Sequence, residues 1–394
     1  MKVLRIINRF NLGGPTYNVA YLSKYLSSDY ETLLVGGQKD ASEDSSEFIL
    51  EKLGLKPIIV EEMLREIDIK NDVAAYKKIK QIIKEFKPDI VHTHAAKAGT
   101  LGRLAAYNCK VPVIIHTFHG HVFHSYFGKL KTLFYKTIER YLAKKSTVII
   151  AISQRQKEEL TLEHKICKPE KVRIVPLGFD LQKFQDNQQE KRADFRKKYL
   201  LDDDEIAIGI IGRLVPVKNH HMFIDAIQNV ASNTSKKVRA FIIGDGESRD
   251  ELLTYTSSKG IDFVEFTKQQ EIKIITYTSW IKDADWALAG LDILCLTSFN
   301  EGTPVSLIEA QAANKPIVST RVGGIENVVL QNQTAFLHAL SDFEGFCASI
   351  LKLVEDKNVR KQMSLKGWDF VKTNYHYTRL VADMEKLYNE LLKK

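Results

Sequence analysis

The sequence has only four cysteines, at 109, 167, 295 and 347, and no two of them are spaced as C-x-x-C. That scatter excludes a disulfide framework and a structural zinc site, and it suits a reducing cytoplasm. No apolar run approaches the ~18 residues that a membrane-spanning helix needs. The opening MKVLRIINRF has a basic residue but no long apolar core or small-residue cleavage site, so it reads as a first strand rather than a secretion signal. Zinc-finger spacing and the aromatic motif of RNA-binding sheets are also lacking, which removes nucleic acid from the expected partners. What is there is the make-up of an ordinary globular protein, with 44% hydrophobic and 27% charged residues. At 394 residues the chain is too long for one core, which predicts two domains. Its net charge of +8 asks for an acidic partner, either anionic headgroups or a phosphorylated small molecule.

The most informative stretch runs from Cys295 to Gly324, CLTSFNEGTPVSLIEAQAANKPIVSTRVGG. The apolar run 293–296 reads as a buried parallel strand, broken at 297–302. Pro304 opens a helix, Val305, Leu307, Ile308 and Ala312 give it an apolar side, and Asn314 and Pro316 end it before the next strand. The free backbone N–H groups of Thr303, Pro304's successors Val305 and Ser306, and the flexible Gly302 make that helix entrance attractive to phosphate. Two carboxylates frame it, Glu301 in the loop and Glu309 about two turns into the helix. At ~1.5 Å rise per residue they lie roughly 8–12 Å apart, about the span from a ribose across a diphosphate to a sugar.

The pattern E-G-T-P-x4-E between two strands resembles the donor-site signature of retaining glycosyltransferases of the GT-B fold, in family 4 of the nucleotide-sugar enzymes. It departs from that family at Asn314, where glycine is usual, a change confined to the helix terminus. Upstream, Gly212-Arg213-Leu214-x3-Lys218 follows the strand 206–211 and places two cations on a strand-to-helix turn, suited to a diphosphate leaving group. Gly244 in Gly244-Asp245-Gly246 reads as another close-approach turn. The resemblance assigns Gly13 and Gly14, after the first strand, a place beside the donor phosphates and the acceptor. The segment 267–280 fits the family pattern poorly, so base binding is expected near Trp280-Ile281.

In the first half, six of the eleven histidines fall between 92 and 124. H-x-H and H-x2-H-x-H could supply imidazoles to a metal. No Asp, Glu or Cys interleaves with them, however, and they sit at two separate strand ends. The preferred reading puts these loops at the carboxyl edge of a parallel sheet, where ligands of open α/β folds bind. The resemblance then gives His119 contact with the transferred sugar and leaves His94 and Lys97 bordering the acceptor. Residues 128–145 form a basic amphipathic helix whose six cations stand against Glu139 alone, a composition suited to docking on an anionic membrane.

The expected fold is α/β, two Rossmann-like doubly wound domains facing each other across a cleft. The boundaries read as 1–178 for acceptor binding, a charged linker at 179–204, 205–375 for the donor, and a last helix, 376–394, crossing back to the first domain. The resemblance implies transfer of a hexose or N-acetylhexosamine from a nucleoside-diphosphate sugar, with UDP the expected nucleotide, to a hydroxyl of a lipid-linked glycan with retention, as in O-antigen or capsule synthesis. Glu301, His119, Arg213 and Lys218 would carry the reaction and Glu309 would hold the ribose. No metal or other cofactor is expected, since the two cations suffice for the phosphates, and the expected location is the inner face of the cytoplasmic membrane. The competing readings are a nucleotide-sugar epimerase of the same fold, a metal-dependent hydrolase built on the histidines, and a non-catalytic protein of the lipid surface.

Overall fold

A computed structural model of the chain describes residues 1–10, 14–38, 47–64, 66–119 and 129–393. The chain divides into two compact units, Met1–Phe179 with Asn374–Lys394, and Asp180–Thr373. Among the described residues, each is built on a parallel sheet of seven strands.

The first unit holds β1 (Lys2–Arg9), β2 (Glu31–Gly37), β3 (Ile58–Ile59), β4 (Ile90–His94), β5 (Val113–Phe118), β6 (Val148–Ala151) and β7 (Val172–Ile174), in the order β3-β2-β1-β4-β5-β6-β7. Every pair is parallel, so each connection must cross over the sheet, and strands buried on both faces become short apolar runs such as Val-Ile-Ile-Ala in β6. The order reverses at the β1–β4 boundary, where such folds open a crevice for ligands. The final helix, Tyr377–Leu392, belongs to this unit: Leu380, Val381, Met384, Leu387 and Tyr388 pack with Val3, Ile90, Val113 and Ile150 in one core. Their spacing, i, i+1, i+4, i+7, i+8, is that of a helix with one apolar stripe.

The second unit repeats the plan with β8 (Ile206–Ile211), β9 (Val238–Ile243), β10 (Phe263–Glu265), β11 (Ile275–Ser279), β12 (Ile293–Leu296), β13 (Ile317–Thr320) and β14 (Ala335–His338). Their order is β10-β11-β9-β8-β12-β13-β14, so the reversal lies between β8 and β12. The loops that leave those two strands carry G-R-L-x3-K and E-G-T-P.

One sequence expectation fails here. The polar stretch read as a linker contains the Gln188–Lys198 helix and lies inside the second unit. Its few apolar residues are large ones. Phe195 and Tyr199 are buried, with the Phe195 ring 4.9 Å from Trp286 and 5.3 Å from Phe241, and the Tyr199 ring 4.6 Å from Phe266. Two aromatic anchors bury enough area to hold a helix whose other residues are mostly charged or polar. Arg192 adds an ion pair to Asp292 at 2.8 Å. Asp202 and Asp204 are solvated and face Lys237 at 3.4 and 3.1 Å.

Candidate active site

In the second unit the Val305–Ala312 helix starts where β12 ends, and Pro304 stands at its N-cap rather than inside its first turn. Proline has no side-chain acceptor, so the entrance has no side-chain cap, and its first N–H groups keep their capacity for an anion. Thr303, Val305 and Ser306 are half-buried there, and Gly302 is exposed. A Cβ built on Gly302 would meet nothing within 4 Å. Asn314, where the resembled family has glycine, has φ 56°, in the left-handed region that asparagine tolerates best among residues with a side chain.

The neighbouring loop is tied to this one. Thr297 Oγ1 donates to the carbonyls of Lys218 and Asn219 at 3.0 and 2.9 Å, and the Phe299 amide donates to the Val217 carbonyl at 2.8 Å. The register β12 to β8, with Cys295 opposite Ile210, makes these bonds possible by bringing both loops out at the same edge. There Lys218 Nζ lies 2.5 Å from Glu301 Oε1, and Ser298 Oγ donates to the same oxygen at 2.6 Å. The sequence reading treated Lys218 as a cation held for phosphate and Glu301 as a carboxylate held for sugar. In this structure they neutralise each other. Arg213 is exposed and has no ion-pair partner among the described residues.

Glu309 is half-buried on the helix. Burial pushes its carboxyl up to about 7, Lys183 pulls it back, and Asp285 adds to the rise. Trp280 is 45% exposed just past β11, at the same edge, and Ser279 before it has φ 60°. Ser279 Oγ donates to Asp245 Oδ2 at 2.7 Å, which joins the expected base-binding segment to the Gly244-Asp245-Gly246 turn.

Gly244 packs closely on the neighbouring turn. A Cβ there would stand 1.9 Å from the Gly212 carbonyl oxygen, and one on Gly246 would stand 2.4 Å from that of Leu214. Both glycines let the turn pack directly on the G-R-L backbone, the close approach expected of this turn. A parallel feature lies in Arg321-Val322-Gly323-Gly324, the turn that follows β13. Gly324 N donates to the Glu301 carbonyl at 2.9 Å, and Cβ atoms on Gly323 and Gly324 would stand 2.0 and 1.9 Å from the carbonyl oxygens of Glu301 and Gly302. The paired glycines were the only signal available for it.

In the first unit Gly13 lies outside the described residues, as do His121 and His124. Gly14 begins the Gly14–Tyr25 helix, and a Cβ there would touch only Leu177 Cδ1, at 3.9 Å. His94 at the end of β4 is fully buried rather than bordering open space, and its Nδ1 lies 2.9 Å from His119 Nε2. Burial holds His94 well below the ordinary histidine value and brings His119 down to about 4, so both rings are neutral at pH 7. Two ring nitrogens at that distance share one proton, a geometry of hydrogen bonding rather than of a common metal. Among the described residues no group of three or more His, Cys, Asp or Glu could hold a metal ion. Lys97 Nζ is engaged by Asp72 Oδ1 at 2.7 Å.

Behind this pair the burial is deeper. Arg5 Nη1 donates to Tyr388 OH at 2.8 Å and approaches His92 Nδ1 at 3.2 Å. Because arginine can only donate, His92 Nδ1 accepts, and its Nε2–H therefore donates to Thr117 Oγ1 at 2.7 Å. A cavity of about 680 Å3 between Glu205, Lys237, Arg239, Asp262 and Lys273 lies at the opposite, N-terminal edge of the sheet from these loops. It contains none of the residues above.

Comparison with known proteins agrees with this division. The family model for Glycosyltransferase Family 4 matches residues 12–183, and that for glycosyl transferases group 1 matches residues 191–368. The chain is 28% identical over 86% of its length to 84% of an Escherichia coli UDP-Gal:alpha-D-GlcNAc-diphosphoundecaprenol alpha-1,3-galactosyltransferase. It is 26% identical over 84% of its length to 86% of the capsular polysaccharide biosynthesis glycosyltransferase CapM of Staphylococcus aureus. Among solved structures, Anabaena Alr3699/HepE in complex with UDP superposes with a TM-score of 0.79 at 17% identity, over 99% of this chain and 100% of that one. WaaG, a glycosyltransferase involved in lipopolysaccharide biosynthesis, superposes at 0.71 with 15% identity, over 98% of this chain and 99% of that one. These two likenesses are of fold.

Proposed function

Because the chain belongs to glycosyltransferase family 4 and is a glycosyltransferase with two Rossmann-like domains, we propose that it moves a hexose or N-acetylhexosamine from a UDP-sugar to a hydroxyl of a lipid-linked glycan, with retention, during surface polysaccharide synthesis. One observation carries the reading: Lys218, Glu301 and the uncapped entrance of the Val305–Ala312 helix meet at the one edge where the strand order of the second sheet reverses. The Escherichia coli relative acts on a diphosphoundecaprenol-linked GlcNAc and the Staphylococcus aureus relative serves capsular polysaccharide biosynthesis, which supports the choice of a lipid-linked acceptor and of a polysaccharide product.

In this mechanism the diphosphate sits on the helix entrance at 303–306, with Gly302 leaving room for it. Arg213 forks onto its oxygens and Lys218 adds a point charge, so the developing negative charge of the leaving group meets preorganised donors. Glu301 accepts from hydroxyls of the transferred sugar and Glu309 from those of the ribose. Neutral His119 contacts the transferred sugar, Gly13 and Gly14 lie beside the donor phosphates and the acceptor, and Lys97 borders the acceptor. The cations make a metal ion unnecessary.

The Lys129–Lys145 helix supports membrane docking. Leu133, Phe134 and Tyr141 are exposed on it, and Lys145 lies over the rings of Tyr107 and Tyr141 at 3.5 and 4.7 Å. Its one acid is withdrawn, since Glu139 Oε2 is buried against Arg103 Nη2 at 2.7 Å. Among the described residues no helix is long and apolar enough to cross a membrane. Charge reversal at Lys144 and Lys145 should release the protein from anionic liposomes, and unchanged sedimentation would remove this helix from the account.

The deciding experiment is thermal unfolding with UDP, GDP, ADP and CMP separately, each with and without chelator. Ligand at ~100 times its Kd adds about 2.7 kcal/mol of stability. A shift with UDP that survives chelator supports the metal-free donor site, and no shift with any nucleotide overturns it. Product analysis then separates glycosyl transfer from epimerisation.

A further inference from the structure

Two donors converge on one carboxylate oxygen. Glu301 Oε1 accepts from Ser298 Oγ at 2.6 Å and from Lys218 Nζ at 2.5 Å, while Oε2 has no protein donor among the described residues. The two donors differ in how firmly they are held. Ser298 is fully buried at the end of β12, its carbonyl accepts from Thr320 Oγ1 at 2.8 Å, and its hydroxyl sits on a single carbon. Lys218 reaches Glu301 on a flexible four-carbon stem from the 216–218 turn, and its side chain is 22% exposed.

Resting on the donor-site reading above, we propose that Ser298 is the positioning residue of Glu301 and that Lys218 is its exchangeable partner. A diphosphate carries more charge than one carboxylate, so it draws the ammonium away when the donor enters. Glu301 would then turn freely about its side-chain torsions if Lys218 were its only anchor. The Ser298 hydroxyl keeps Oε1 in place, the Gly324 amide keeps the backbone of Glu301 in place, and Oε2 stays presented to the sugar hydroxyls. Binding of the nucleotide and gripping of the sugar thus become two separable events, and Ser298 serves only the second. The seryl hydroxyl touches no substrate atom in this arrangement and acts through Glu301.

The test compares Ser298→Ala, Ser298→Thr, Glu301→Gln and the Ser298→Ala/Glu301→Gln double variant. It measures the Kd of UDP alone, and kcat and KM with the UDP-sugar that serves as donor. Ser298→Ala should leave the UDP Kd within about two-fold and lower kcat/KM roughly ten- to hundred-fold, the size of one lost hydrogen bond to a charged group. Ser298→Thr, which keeps the hydroxyl, should recover most of that loss. In the Glu301→Gln background Ser298→Ala should cost less than about two-fold, because the two act as one unit. Equal loss of UDP affinity and of kcat/KM in Ser298→Ala, or the same penalty in both backgrounds, would overturn the proposal. If Glu301→Gln is damaging and Ser298→Ala harmless, only the positioning role falls. If Glu301→Gln itself leaves kcat/KM unchanged, the donor-site reading fails and takes the proposal with it.

Discussion

Gly302 and Gly324 make opposite demands on an added methyl group. At Gly302 a Cβ enters open space, whereas at Gly324 it would lie 1.9 Å from the Gly302 carbonyl oxygen. Gly302→Ala should therefore unfold within a degree or two of the parent and bind UDP more weakly, since the methyl occupies the space proposed for phosphate. Gly324→Ala should lower Tm by several degrees, because the backbone that supports Glu301 has to move. Parallel melting curves and UDP titrations of the two variants would check both. Glu309 gives a second residue-scale prediction. Its carboxyl is held at about 7, so below that pH it is protonated and accepts more weakly from ribose hydroxyls. Hydroxyls that donate to the charged form favour it, so nucleotide binding near pH 7 should release protons and weaken as pH falls. Calorimetry in buffers of different ionisation enthalpy would detect the release, and Glu309→Gln should abolish it. At this scale the sequence disclosed which side chains carry charge but not whom they face. Lys218 and Glu301 are 83 positions apart, and only the β8–β12 register shows that they touch.

Elements were more legible than their partners. Parallel strands buried on both faces are largely apolar, so β6, β8 and β12 announce themselves as short apolar runs, whereas β4, β5 and β13 begin apolar and bury His, Thr or Ser further along. The helix hidden in the supposed linker did not, because Gln188–Lys198 is charged almost throughout and is held by Phe195 alone among its apolar side chains, beside Tyr199. Replacing Phe195 by alanine should cost about 3–5 kcal/mol, the usual penalty for emptying a buried aromatic site, although a linker residue would cost almost nothing. Chemical denaturation of the variant decides between those outcomes. The 267–280 segment was opaque for a different reason. It is mostly loop and short strand, and it takes its course from bonds such as Gly244 N to the Ser279 carbonyl, at 3.1 Å, that no local pattern encodes.

At the scale of the molecule the two sheets differ in what acid does to them. The first buries His92, His94 and His116 as neutral rings, all held well below the ordinary value by burial, with His119 at about 4. Above pH 6.5 these rings are neutral in both folded and unfolded chains and have no effect on the pH dependence of stability. Below it the unfolded chain takes up protons that the folded one refuses, so stability falls with pH. Each such ring can cost up to about 2 kcal/mol at pH 5. A Tm profile from pH 8 to 5 should therefore drop on the acid side, and His92→Gln, which keeps an acceptor beside Arg5, should flatten part of the drop. Two domains were legible from length and from the restart of strand alternation at 206. The return of the last helix was legible only through family resemblance, since an amphipathic stripe shows that a helix is half-buried without saying against what.

That return has a consequence in time. The core of the first unit is closed by Leu380, Met384 and Tyr388, and residues 180–373 intervene before they are made. At ~5–20 residues per second a ribosome needs roughly 10–40 s to span that interval. During it the face built from Val3, Ile90, Val113 and Ile150 has Leu22 and Tyr30 beside it but lacks the helix that completes its cover, while the second unit has every strand it needs as soon as it emerges. The half of the chain that is translated first is therefore the last to be finished, and the nascent polypeptide spends that interval dependent on whatever shields it.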